Sequence, residues 1–369
     1  EITERDWSSD VCSSDLTGRL RGVDRDRGGA LPDVSLVRRS QGATAQPVAF
    51  VLLMANPDPS GWRGATTDLL RVILAMAFLW VPTAAFSASL LVVYPEAPEP
   101  YREAFAQMME GLARTTQQPL RSKTLTAKTT PEAFRDWLMD AGPDETVVLL
   151  GYQALSLYGR DPPPVRRVIV GGVSVLPSQT PLPGISLTLD PMLYLHMLHT
   201  LLPNIRRVVV YCNAQEQPWI AQVEQAALAA RIEVERVIVT DAFDVARQLR
   251  MTFQTLDPKT TALWFGRNTL TLNADLLYSY VLEQTWDRGI AAFSETVLLT
   301  KYGLLFALYP NYTEVGAEIG ALVRQQTHPA GLQFSRASQF AFNRRTARHL
   351  GIALRDDVIR QAKPLFPEP

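Results

Sequence analysis

The sequence predicts an α/β protein of two lobes, each built on a parallel β-sheet and joined through a hinge. Three observations carry this. Short apolar runs alternate with amphipathic stretches along most of the chain, the rhythm of strand, helix, strand that makes parallel sheets. The rhythm breaks once, over Pro177–Asp190 (PSQTPLPGISLTLD), where three prolines and a glycine mark a boundary, and then resumes. Polar residues gather just after the apolar runs, where ligands bind in parallel α/β sheets.

The chain has 369 residues, of which 47% are hydrophobic, enough for two domains with a large core. Its formal net charge is −1, which counts against nucleic acid as a partner. Two cysteines, Cys12 and Cys212, exclude a disulfide scaffold and a cysteine-rich zinc site.

Residues Arg5–Leu16 (RDWSSDVCSSDL) look like a translated sequencing-library adapter, and Thr17–Leu53 shows no sustained periodicity. Residues 1–53 are therefore set apart as a non-native leader, the alternative being a genuine disordered tail. Met54 is a plausible start. Arg63 and Arg71 precede the apolar run Val72–Phe86, and small residues Ser87, Ala88 and Ser89 follow. This is the layout of a secretory signal over 54–88, cleaved near Ser87–Ser89. An uncleaved membrane anchor is the competing reading, against which Pro82 interrupts the run.

In the expected mature chain, Leu90–Tyr94 is a strand and Tyr101–Leu112 a helix. Leu120–Leu125 is a polar strand near an edge, Pro131–Met139 a short helix with proline in its first turn, and Thr146–Leu150 a buried strand. A helix opens at Gly151–Ala154, and Arg167–Val170 is the next strand. After the break come a helix at Pro191–Leu202, a strand at Arg207–Cys212, a helix at Trp219–Ala230, a strand at Val234–Val239 and a helix at Phe243–Phe253.

The stretch Ala262–Tyr312 is central. Ala262–Phe265 is a strand followed by Arg267, Asn268 and Thr269. Asn273 caps a helix whose apolar face is Ala274, Leu277, Tyr278, Val281 and Leu282. Gly289 ends it, and the strand Ile290–Phe293 leads into Ser294 and Glu295. Two strand ends with hydrogen-bonding side chains form one wall of a cleft. A helix at Val315–Val323, extended pieces in Phe334–Phe342 and short helices near Arg344–Leu350 and Asp356–Lys363 complete the chain.

Several segments together resemble a known family: Leu182–Asp190 (LPGISLTLD), Leu201–Asn213 (LLPNIRRVVVYCN), Phe265–Leu276 (FGRNTLTLNADL), Gly289–Glu295 (GIAAFSE), Gly303–Gly320 (GLLFALYPNYTEVGAEIG) and Phe342–Leu354 (FNRRTARHLGIAL). In this order they resemble ABC-type substrate-binding proteins of the tryptophan/tyrosine-binding-like branch. The resemblance runs from about Leu90 to the carboxyl end and is strongest after residue 180.

It implies two Rossmann-like lobes with parallel sheets and a hinge, the type I periplasmic binding protein fold, with lobe 1 at 89–187 plus 311–334 and lobe 2 at 188–310 plus 335–369. It implies a monomeric, exported, periplasmic receptor that captures a small, amino-acid-like or aromatic molecule and delivers it to the membrane permease of an ABC importer, with no cofactor. By matching position, Asn213, Asn268, Thr269 and Ser294 face the cleft from lobe 2. Glu295 stands where relatives usually have an aspartate, and Ala214 replaces a usual proline. From lobe 1, the loops after strands offer Glu96, Tyr152 and Gln153.

Each candidate has a plainer alternative. Glu295 pairs either with a ligand ammonium or, as a hinge glutamate, with Arg267 or Lys301. Asn268 and Thr269 either donate to a ligand carboxylate or cap the local turn. Tyr152 either stacks on an aromatic ligand or packs at a helix start. His196 and His199 lie three apart on a helix without further metal ligands at familiar spacing, so a structural role is expected. Gly171–Ser174 lacks the lysine of a phosphate loop, and Cys212 reads as a small buried hydrophobe. The arginines from Arg344 to Arg348 read as a solvated helix face. No nucleophile comes with an evident base, so no catalytic residue is assigned. A sensory ligand-binding module signalling to a membrane partner is the second reading, and an enzyme on the same scaffold the third.

Overall fold

The computed structural model describes residues 89–369 apart from 142–144, 161–166, 267–273, 326–329, 354 and 368–369, with only the backbone at 160, 242 and 274–278. The first strands and helices are β1 (Leu90–Pro95), α1 (Tyr101–Thr116), β2 (Leu120–Leu125), α2 (Pro131–Met139), β3 (Thr146–Leu150), α3 (Tyr152–Arg160), β4 (Val168–Val173) and β5 (Gly184–Leu189). Then follow α4 (Pro191–Leu201), β6 (Arg207–Cys212), α5 (Gln217–Ala230), β7 (Glu233–Ile238), α6 (Ala242–Thr255), β8 (Thr261–Phe265), α7 (Ala274–Arg288), β9 (Ala291–Ser294), α8 (Val297–Tyr302) and β10 (Phe306–Pro310). The chain ends with α9 (Tyr312–Arg324), β11 (Leu332–Ser335), β12 (Ser338–Asn343), α10 (Arg344–His349), α11 (Asp356–Gln361) and β13 (Ala362–Phe366).

The strands form two sheets. The first has six strands in the order β2-β1-β3-β4-β5-β11, all parallel. The second has seven, β7-β6-β8-β9-β10-β12-β13, parallel except that β12 runs antiparallel to β10 and β13 follows β12. Central strands such as β3, β6 and β8 are apolar runs because helices cover both faces. The edge strand β2 instead carries Arg121, Ser122 and Lys123 exposed, which discourages pairing with another chain.

Helix starts are set by local chemistry. Thr130 caps α2, Asp190 caps α4, Asp241 caps α6 and Asn311 caps α9, each accepting a hydrogen bond from a backbone N–H of the first turn. Gly289 stops α7 with φ +64°, a left-handed conformation that glycine adopts without strain.

Among the described residues the chain changes sheet three times. β5 leads through Asp190 into α4, β10 through Asn311 into α9, and β11 through Arg336 and Ala337 into β12. α9 comes from the second sheet and packs on the first, against α1. A Cβ on Gly111 would fall 1.8 Å from the Thr313 carbonyl oxygen, and one on Gly316 would fall 2.0 Å from the Met108 carbonyl oxygen. The two helices touch backbone to backbone at these glycines.

Four details differ from the sequence reading. The proline-rich boundary Pro177–Asp190 contains a buried strand, β5, because its second half ISLTL pairs between β4 and β11. β4 does not stop at Val170 but continues to Val173. Gly172, at φ +66°, takes up a shift in register against β5. The loop after Ser294 holds the short helix α8, and the carboxyl end adds β13 to the sheet instead of extending α11. The apolar face expected for α7 can be followed only at Val281, which is buried, and Leu282; its cap at Asn273 and the side chains of 274–278 lie outside the described residues.

Candidate functional site at the carboxyl edges of two sheets

All three connections join the same edges. β5, β10 and β11 each leave their sheet at a carboxyl end, and β12 enters the second sheet beside the carboxyl end of β10, with Ser338 opposite Pro310. The connections lie side by side. The Asp190 N–H donates to the Ser335 carbonyl at 3.0 Å and the Asn311 N–H to the Ala337 carbonyl at 2.9 Å. The Asp190 carboxylate lies 3.6 Å from the Arg336 guanidinium. Glu318, on α9, accepts from the Ser335 hydroxyl at 2.7 Å and from the Arg336 N–H at 3.1 Å.

On the first sheet, Glu96 follows β1 and is exposed; its N–H donates to the Leu125 carbonyl at 2.7 Å. Tyr152 and Gln153 open α3 and are half-buried. The Tyr152 ring packs against the apolar cluster of Val170, Val173 and Leu332.

On the second sheet, Asn213 follows β6. Its side-chain oxygen accepts from the Glu216 N–H at 3.1 Å, and the Glu216 carboxylate accepts from the Asn213 N–H at 2.9 Å, a reciprocal cap on the turn Ala214–Glu216. Ser294 ends β9 and is buried. Its hydroxyl accepts from the Thr296 N–H at 2.9 Å and donates to the Thr296 carbonyl at 3.2 Å, so it shapes a turn. Glu295 is half-buried beside it. Asn268, Thr269 and Arg267 lie outside the described residues. The carboxyl edges thus gather Glu96, Tyr152 and Gln153 on one sheet and Asn213, Ser294 and Glu295 on the other.

Glu216 was missed by sequence reading. Its carboxylate oxygens lie 3.1 and 3.2 Å from where a Cβ on Gly266 would sit, so an acidic group occupies the edge between β6 and β8. The spacing Asn-x-x-Glu after a strand was the available signal. Asp190, Asn311 and Arg336 were also missed, because only the sheet topology brings them together.

Beneath Asn213, Cys212 is fully buried, and burial together with the Glu216 charge pushes its thiol up to about 12. Tyr211 is likewise pushed up to about 12 by burial, against a hydrogen bond to Thr252. His196 and His199 are exposed, and among the described residues no group of three or more His, Cys, Asp or Glu is placed to hold a metal ion. With its hydroxyl engaged in the turn, Ser294 is not poised as a nucleophile. The arrangement places hydrogen-bonding side chains and the carboxylates of Glu216 and Glu295 along this edge.

No protein-family model and no curated protein matches the chain. Solved structures do. A ligand-free, open substrate-binding protein with adhesive properties from Clostridium difficile is 14% identical, with a TM-score of 0.53, over 73% of this chain and 97% of that one. The fold is that of the type I periplasmic binding proteins. An ABC domain from Streptococcus pneumonia in complex with L-Trp (14% identical, TM-score 0.45, 75% of this chain and 98% of that one) is also similar. So is a LacI transcriptional regulator from Lactobacillus brevis (14% identical, TM-score 0.41, 68% and 99%). Among the described residues no helix is long and apolar enough to cross a membrane.

Proposed function

We propose that this chain is an exported, periplasmic solute receptor without enzymatic activity, which captures a small molecule between its lobes and hands it to the permease of an ABC importer. The observation that carries this is the joining of both carboxyl edges by three adjacent connections. Each sheet's polar loops then border one cleft, and rotation about Asp190, Asn311 and Arg336–Ala337 opens or closes it. Lobe 1 comprises 89–187 with 311–334, and lobe 2 the remainder from 188. The likeness in fold to a substrate-binding protein supports the same reading.

The ligand is amino-acid-like. Glu295 and Glu216 give the lobe 2 wall a negative character that suits an ammonium group, and Tyr152 and Gln153 border it from lobe 1. The receptor works as a monomer, released by cleavage of the leader over 54–88.

The test is thermal melting of the purified chain against amino acids and related metabolites. A ligand bound by the native state alone raises the melting temperature by mass action. The expected result is a saturable rise with one ligand class, lost in Glu295→Gln. A chain that responds to no compound sinks the receptor reading and favours a sensory module acting through a protein partner.

A further inference from the structure

The second sheet has another polar feature, at the end opposite Ser294. There α7 ends, β9 and β10 begin, and β12 turns into α10. Two adjoining cavities, of about 430 and about 510 Å³, share Trp286, Arg345, His349 and Pro367. Each is of the size that holds a small organic ligand.

The groove is built around Trp286. The His349 ring stacks on the indole at 3.8 Å between centroids and 7° between planes, and the Arg345 guanidinium lies 5.1 Å from the ring. A His349 ring nitrogen is 2.7 Å from the Trp286 carbonyl oxygen, which also accepts from the Gly289 N–H that closes α7. The two helix ends are thereby locked together, with a flat aromatic pair at the join. Ile290 and Ala292 provide an apolar floor.

Charge is the second observation. Lys301 borders the first cavity, and Arg344, Arg345 and Arg348 border the second. None of these four forms an ion pair with a described residue, whereas Arg102, Arg114, Arg121, Arg207 and Arg355 all do. Glu283 and Asp287 border only the first cavity, and among the described residues no acid borders the second. Arg344 and Arg348, four apart on one short helix, repel each other, as like charges at that spacing do. A bound anion relieves that repulsion, and guanidinium groups recognise phosphate through paired hydrogen bonds.

We propose that this groove is a binding site for a planar aromatic phosphate of mononucleotide size. The cations of α10 take the phosphate, and the ring lies against the Trp286–His349 pair. The site is separate from the carboxyl-edge cleft and stands whether or not that cleft is a solute site.

Calorimetric titration of the full chain with adenosine monophosphate tests this, with adenosine and inorganic phosphate as single-feature probes. Saturable binding at one site is expected. It should weaken with added salt, as screened charge contacts do, and weaken about tenfold or more in Arg345→Ala/Arg348→Ala. Both arginines are exposed and the variant loses only the solvent-facing Arg345–Trp286 contact, so it should keep close to the wild-type melting profile in the absence of ligand. Glu295→Gln should leave the titration unchanged, which separates this site from the cleft. Absence of adenosine monophosphate binding overturns the proposal. So does binding that the double variant leaves intact, and so does inorganic phosphate binding as tightly as the nucleotide.

Discussion

Asp190 and Arg336 face each other across two of the three connections between the sheets, with carboxylate and guanidinium 3.6 Å apart. The same carboxylate accepts from the Met192 N–H at 2.9 Å and so caps α4. The two roles differ in weight, because Arg336 is largely exposed while the cap completes a helix end.

Asp190→Ala should therefore lower unfolding stability by about 1 kcal/mol, the usual loss for a helix cap. Asp190→Asn keeps a capping oxygen and should recover most of it. Arg336→Ala should leave the urea midpoint nearly unchanged. Equal losses in Asp190→Asn and Asp190→Ala would show that the ion pair, not the cap, is what matters.

Gly316→Ala should be far more costly. Its new methyl group would meet the Met108 backbone at 2.0 Å, and neither helix backbone can yield locally. A loss of about 3 kcal/mol or more is expected, at the upper end for overpacking. Gly159→Ala, at a helical site with open space, is the control and should change little. Chemical denaturation of the two variants decides it.

Arg121→Ala should expose the dependence of Glu145 on its partner. The Glu145 carboxylate is buried and accepts from the Arg121 Nε at 3.0 Å and the Ser89 hydroxyl at 2.8 Å. Losing the guanidinium removes one of the groups that compensate this buried charge. Because Arg121 is half exposed, the cost should be about 2 kcal/mol, below the figure for fully buried pairs. Arg121→Ala/Glu145→Gln should restore part of it. A double variant no more stable than the single one would rule out the weakened compensation of that charge as the cause.

Stability should fall as pH rises above about 9. Cys212 and Tyr211 are both held up to about 12 by burial, so the folded chain keeps protons that the unfolded chain has released. Their stabilising contribution is complete below the unfolded values and disappears as pH climbs toward the folded ones. Melting temperature recorded against pH should decline over this range, less steeply in Cys212→Ala. In a Cys12→Ser background, a thiol reagent at pH 8 should label Cys212 only after unfolding. Rapid labelling of the native protein would contradict the burial.

The order of strands and helices was legible because each is written locally. Apolar runs such as Thr146–Leu150 and Arg207–Cys212 are strands at the expected bounds, and Pro131 and Gly289 mark helix ends by their own backbone preferences. β5 was obscured because prolines beside a strand look like the end of order, although the pairing that makes ISLTL a strand comes from β4 and β11. The same holds for β13, whose partner β12 supplies the hydrogen bonds.

The site divides along the same line. The positions of Asn213, Ser294 and Glu295 were visible because Asn213 and Glu295 directly follow strands and Ser294 ends one, which fixes the edge they occupy. Their hydrogen bonds were not visible. Asn213 and Ser294 spend bonding capacity on their own turns, at the Glu216 and Thr296 N–H groups.

By itself, then, the sequence determined the α/β alternation, the buried runs and the strand ends that bear polar residues, since these follow from side-chain periodicity and backbone chemistry within a few residues. Tertiary structure alone decided that Asp190, Asn311 and Arg336 lie together, that α9 packs on α1 through Gly111 and Gly316, and that Trp286 meets Arg345 and His349. Each of those contacts joins segments far apart in the chain, and no local signal specifies a partner that only the folded topology brings near.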